Sequence, residues 1–210
     1  MNRVIRILAV LALAFVFTSP ATAIENIHAG VKGGYNISNM SVDPGDELAD
    51  SRGGLALGGY VGIPVSPMFS VQPEAYFSMK GDSESSGGAT GTMKLDYIEV
   101  PVLAKASFLP HAKAKPSLFA GPSLAYNLNA KSAIEGTGLL DGETDIKDQT
   151  NAVDFGLVFG GGVDYSLQNG AKSIGIDLRY TMGLTNTIDS DTGAEAKNHV
   201  FSIMGTLGFL

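Results

Sequence analysis

The chain has 210 residues, with 14 lysines and arginines against 21 aspartates and glutamates, a formal charge of −7, 27 glycines and no cysteine. That length fits one domain. The missing cysteine excludes disulfides, thiolate metal sites, a cysteine nucleophile and a lipidated N-terminal cysteine, and the acidic balance makes nucleic acid an unfavourable partner, because phosphate contacts need lysine and arginine.

Met1–Ala23 has the grammar of a signal peptide: basic Arg3 and Arg6, an apolar run from Ile7 to Phe17, and the small-residue cleavage site Ala21-Thr22-Ala23. The run is too short to span a bilayer as a helix. Residues 24–210 are then the mature domain. Without Arg3 and Arg6 it carries 12 basic residues against 21 acidic ones, a net charge of −9.

Eight segments of the mature domain alternate with a period of two: His28–Asn39, Gly53–Val65, Met68–Lys80, Met93–Phe108, Pro116–Leu128, Ala152–Leu167, Ser173–Leu184 and Val200–Leu210. A strand sends successive side chains to opposite faces, so each segment is a strand with one apolar and one polar face. The connections alternate in length. Met40–Arg52, Gly81–Thr92, Asn129–Asn151 and Thr185–His199 are long, whereas Ser66-Pro67, Leu109–Lys115 and Gln168–Lys172 are short. The last holds Asn169-Gly170, a hairpin turn signal. Antiparallel strands place all the long connections at one end. The expected fold is therefore all-β, an eight-stranded antiparallel up-and-down transmembrane β-barrel of the bacterial outer membrane, with external loops and brief periplasmic turns. The long loops hold 14 of the 21 acids, and the short turns hold Lys113, Lys115 and Lys172 and no acid.

The bulky apolar set is expected to face lipid. In the third strand it is Phe69, Val71, Pro73, Ala75, Phe77 and Met79. The alternate positions of the eight strands are mostly Gly, Ser and Ala with scattered charges. They make a poor soluble exterior and a good filling for a narrow barrel. Phe69, Phe108, Tyr165 and Phe209 at the turn end and Tyr35, Phe77, Phe155 and Phe201 at the loop end form two expected aromatic girdles. Pro73, Pro101 and Pro122 fall inside strands and are expected to mark bulges.

The inward set collects Lys32, Glu74, Lys80, Glu99, Lys105, Asp154, Asp164, Asp177 and Arg179. Buried charges persist when paired, so these nine are expected to form a structural network that plugs the lumen. Glu74, Lys105, Asp177, Arg179 and Lys32 fall at similar depth counted along the chain from the turn end, with Glu74 and Lys105 placed to pair directly.

Signals for chemistry are sparse. His28 and His111 fall at the turn end and His199 at the loop end, so they share no centre. His199 with Ser190 and Asp189 or Asp191 matches no triad spacing. Asp141, Glu143, Asp145 and Asp148 offer the carboxylates a calcium ion wants, without the EF-hand order. Gly160-Gly161-Gly162 lacks the lysine and helix of a phosphate loop. No catalytic residue, metal site or cofactor is expected.

Gly30–Ser38 (GVKGGYNIS), Leu95–Lys105 (LDYIEVPVLAK), Phe119–Tyr126 (FAGPSLAY) and Gly160–Tyr165 (GGGVDY) resemble PorT-like outer-membrane β-barrel proteins across essentially the whole mature chain. Tyr97-Ile98-Glu99-Val100-Pro101 is the most specific part. The resemblance implies an eight-stranded outer-membrane barrel without catalytic residues. The expected role is non-enzymatic: acidic loops presented on a rigid barrel, for structure, binding or adhesion. The alternatives are a small pore or secretion accessory, a membrane-embedded lipid-modifying enzyme, and a soluble ligand-binding barrel. The expected partners are outer-membrane lipid, the barrel-assembly machinery during biogenesis, and an extracellular or envelope protein.

Overall fold

The computed structural model describes residues 27–43, 51–136, 138, 141–167, 172–187 and 195–209. The leader Met1–Ala23, the turn at Asn169-Gly170, the tip of the first long loop and the Asp189–Asp191 segment lie outside the described residues. Period-two patterning produces strands β1 (His28–Asp43), β2 (Arg52–Pro64), β3 (Phe69–Ser86), β4 (Ala89–Ser107), β5 (Ala114–Glu135), β6 (Gly142–Asp145), β7 (Val153–Ser166), β8 (Lys172–Gly183) and β9 (Glu195–Phe209). All pairings are antiparallel. The ring runs β1-β2-β3-β4-β5-β7-β8-β9 and closes where β9 pairs β1, as in Gly33↔Gly205. Closure removes the open edges that a flat sheet would expose. The short β6 stands outside the ring and pairs with the upper part of β5.

The apolar sets point outward on every strand of the ring. Leu57 is 67% exposed, Leu55 61% and Ile176 60%, the reverse of a soluble protein's economy and the arrangement acyl chains require. Both groups of aromatics sit on that outer wall. Inside, small apolar clusters alternate with polar layers: Leu103, Phe119 and Val158 in one, and Met40, Leu95, Tyr97 and Ala196 towards the loop end in another. Among the described residues no helix is long and apolar enough to cross a membrane; strands make the wall.

Two expectations about the strands change. The strands run further at the loop end than the sequence pattern implied. Gly81–Thr92 is no open loop: β3 and β4 continue as a hairpin to Ser86 and Ala89 and turn at Gly87-Gly88, whose φ values of 61° and 87° suit glycine. β5 likewise extends to Glu135 and β1 to Asp43. The second change concerns the prolines, which mark no bulge. Around Pro73 and Pro101 rungs are missing, but the ladder resumes in the same register, as from Pro73↔Val102 to Tyr76↔Glu99. Pro122 sits in an unbroken run opposite Leu157. A missing N–H costs a rung without requiring an inserted residue. The register shift lies at Asp96/Tyr97, where Asp96 pairs Asn129 and Tyr97 pairs Asn127.

Candidate functional site

Inward-facing positions on β1, β3 and β8 bring four charges together at the centre of the lumen. Lys32 Nζ donates to Glu74 Oε1 at 2.6 Å and to Asp177 Oδ2 at 2.7 Å. The Arg179 guanidinium donates to Glu74 Oε2 at 2.8 Å and to Asp177 Oδ2 at 3.2 Å. Two cations and two carboxylates make the cluster neutral. Gln72 Nε2 donates a further bond to Glu74 at 2.7 Å. Arg179 is 1% exposed, with its guanidinium 5.3 Å from the Phe119 ring centroid and 5.9 Å from that of Tyr76. Lys32 Nζ lies 5.0 Å from the Tyr60 ring centroid. Such desolvated charges persist because each is met by an opposite charge at hydrogen-bond distance, with ring faces adding cation–π attraction.

Two further pairs flank this cluster. Lys80 meets Glu99 at 2.6 Å, and Ser123 Oγ donates to Glu99 at 2.8 Å. Lys105 meets Asp164 at 2.7 Å, which corrects the expected Glu74–Lys105 contact. Lys105 faces Ser70 in the ladder, four residues nearer the turn end than Glu74. It reaches past β5 to β7, while Glu74 is taken by Lys32 and Arg179. Barrel strands tilt against the axis, so equal counts along neighbouring strands are not equal heights. Asp154 stands apart towards the loop end, accepting from Thr185 Oγ1 and from Asn198 Nδ2. Eight of the nine expected lumenal charges are buried, and Asp164 is half-buried.

Sequence reasoning missed the neutral polar filling around these charges. Asn36 donates to Ser78 and accepts from Ser202. Near the loop end, Asn198 bonds Tyr97, Asp154 and Thr187. Their alternation with the lipid-facing residues was the available signal. The packing leaves a cavity of about 10 Å³ between Glu99 and Asn198, room for about one water. A larger cavity, about 280 Å³, lies at the turn-end mouth.

The sparse chemical signals do not converge. His199 Nδ1 lies 2.8 Å from the Tyr180 hydroxyl, on the side of β9 opposite to lumenal Asn198. Glu143 is spent on Lys131 at 2.5 Å and Lys94 at 3.0 Å, contacts that hold its carboxyl down at about 2. Asp145 Oδ1 accepts from the Lys147 amide and Asp141 Oδ1 from the Gly138 amide. Among the described residues no three His, Asp or Glu side chains group to hold a metal ion.

A family model described as the outer membrane protein beta-barrel domain matches residues 18–189, most of the chain. The chain belongs to this family. An outer-membrane β-barrel protein of this kind resides in the bacterial outer membrane, and the exposed apolar wall is its lipid contact. Among solved structures, Neisserial surface protein A is 16% identical, with 87% of this chain and 99% of that chain covered and a TM-score of 0.52. Ail, the attachment invasion locus protein of Yersinia pestis, solved with the heparin analogue sucrose octasulfate, is 14% identical with a TM-score of 0.47, covering 88% of this chain and 99% of its own. The outer membrane protease OmpT of Escherichia coli is 10% identical with a TM-score of 0.49, covering 88% and 96%. At these identities the likeness is one of fold. No curated protein matches.

Proposed function

We propose that this outer-membrane barrel is a non-enzymatic display scaffold, a PorT-like relative that binds a protein partner through its acidic loop-end surface. The filled lumen carries the reading: three layers of ion pairs and small side chains close the path a porin keeps open. What remains available for recognition is the loop end. There the β3–β4 hairpin and the β5–β6 ladder are stiffened by strand pairing. Glu84, Glu135 and Asp145 are exposed on or beside them, and Asp141 and Asp148 flank β6. Loops carried on a rigid scaffold are common seats of binding, and an excess of carboxylates favours a basic partner surface. The lipid-facing girdles and the assembly machinery concern how the barrel is seated rather than what it recognises.

The test compares cells displaying the full chain with cells displaying a variant in which residues 83–92 are replaced by a two-glycine turn. A membrane-impermeant cross-linker should trap a partner on the full chain and lose it on the variant, with the barrel still folded. A partner trapped equally on both would contradict the reading.

A further inference from the structure

At the turn end a tenth charge, Lys115, joins the lumenal charges described above. The central cluster is neutral, and Lys80–Glu99 and Lys105–Asp164 are neutral pairs. Lys115, on the inward face of β5, sits directly across the ladder from Asp164. Asp164 is already held by Lys105, and among the described residues no carboxylate lies within 4.0 Å of Lys115. Both lysines line the 280 Å³ cavity at this mouth, as does Lys172, and among the described residues Asp164 is its one lining acid. Hydroxyls of Ser70, Ser107 and Ser166 line it too.

We propose that this mouth binds one phosphate group. Among the described residues the walls offer three lysine ammoniums and several serine hydroxyls against one carboxylate, which Lys105 already holds. A tetrahedral phosphate accepts from more of them at once than a carboxylate does. The volume, about 280 Å³, is far more than the space one ordered water needs, and accommodates the anion and bridging waters. Asp164 opposes an anion, but its charge is matched by Lys105, leaving Lys115 as the surplus cation that attracts the ligand. The phosphate belongs either to a soluble ion or ester, or to the headgroup of an anionic phospholipid. The second source is open because Lys172 pairs with outward-facing Phe209 at the membrane edge of the same mouth.

The test uses the folded full-length mature chain in an uncharged maltoside detergent, titrated calorimetrically with inorganic phosphate, and the same chain in vesicles with and without phosphatidylglycerol, scored by retained lipid in native mass spectrometry. Saturable binding of one phosphate, about tenfold weaker in Lys115→Gln and unchanged in Lys113→Gln on the exposed turn, supports a soluble ligand. Lipid retained only from phosphatidylglycerol vesicles, and lost in Lys115→Gln, supports a headgroup. Lys115→Gln breaks no ion pair, so folding is preserved, and heat-modifiable migration on gels verifies it. Absence of binding in both arms, or binding that Lys115→Gln leaves intact, overturns the proposal.

Discussion

Arg179 shows how the lumen tolerates charge. It is clamped between the Glu74 and Asp177 carboxylates and lies against two aromatic rings. Arg179→Met keeps much of the volume but leaves two buried carboxylates to Lys32 alone. Unfolding in urea from detergent or vesicles should show a loss of about 3–5 kcal/mol, the range for breaking one side of a buried pair. The double variant with Glu74→Gln should lose less than the sum of the two single changes, because the stranded charge is removed as well. Glu143 titrates under different conditions, at the solvent-exposed loop end. Hydrogen bonds from Lys131 and Lys94 hold its pKa at about 2, below the usual 4.5. A depressed folded pKa places its contribution fully above about 4.5 and removes it as pH falls towards 2. The protection factors of the Lys131–Ile134 amides, corrected for the pH dependence of intrinsic exchange, should therefore fall between pH 4.5 and 2 while those of the barrel rungs do not change. Equal protection across that window would show that the pair does not hold β6.

At the scale of the element, the membrane-crossing part of each strand was legible and its upper part was not. Inside the bilayer the outer face must be apolar, so alternation is written plainly in residues such as Ile174, Ile176 and Leu178. Above it the outer face no longer has to be apolar, so the alternation fades from the sequence although the backbone pairing and the inner packing of Met40, Ala130 and Ala196 continue. Gly81–Ser86 reads as loop by composition, yet Ser83 pairs with Thr92 and Ser85 with Thr90 across the β3–β4 hairpin. Its turn depends on positive φ at two successive residues. Replacing Gly87 and Gly88 by alanine should cost about 1–2 kcal/mol per strained residue, felt as faster amide exchange over residues 82–93 with the thermal unfolding of the barrel unchanged. A barrel that melts at lower temperature in this variant would mean that the hairpin is part of the wall's cooperative unit. The lumenal residues were legible for the same reason as the wall, since each alternates with a lipid-facing neighbour. Their partners were not, because Lys32–Glu74 skips over β2, Lys105–Asp164 skips over β5, and Arg179–Glu74 joins β8 to β3. Sequence spacing carries no measure of strand tilt.

For the whole molecule, an apolar wall faces outward, and the strand charges face inward among buried Tyr60, Tyr76, Tyr97 and Phe119, where they largely cancel. That arrangement makes the barrel a filled post in the outer membrane. A void of about 10 Å³, the size of one water, lies within the filled middle between Glu99 and Asn198. The most direct measurement of this sealed interior is current through single barrels reconstituted in a planar lipid bilayer at neutral pH. The filled lumen predicts no stable conductance steps from barrels shown to be folded by their heat-modifiable migration. Sustained, ohmic steps from the same preparation would mean that ions pass where Lys32, Glu74, Asp177 and Arg179 close the path.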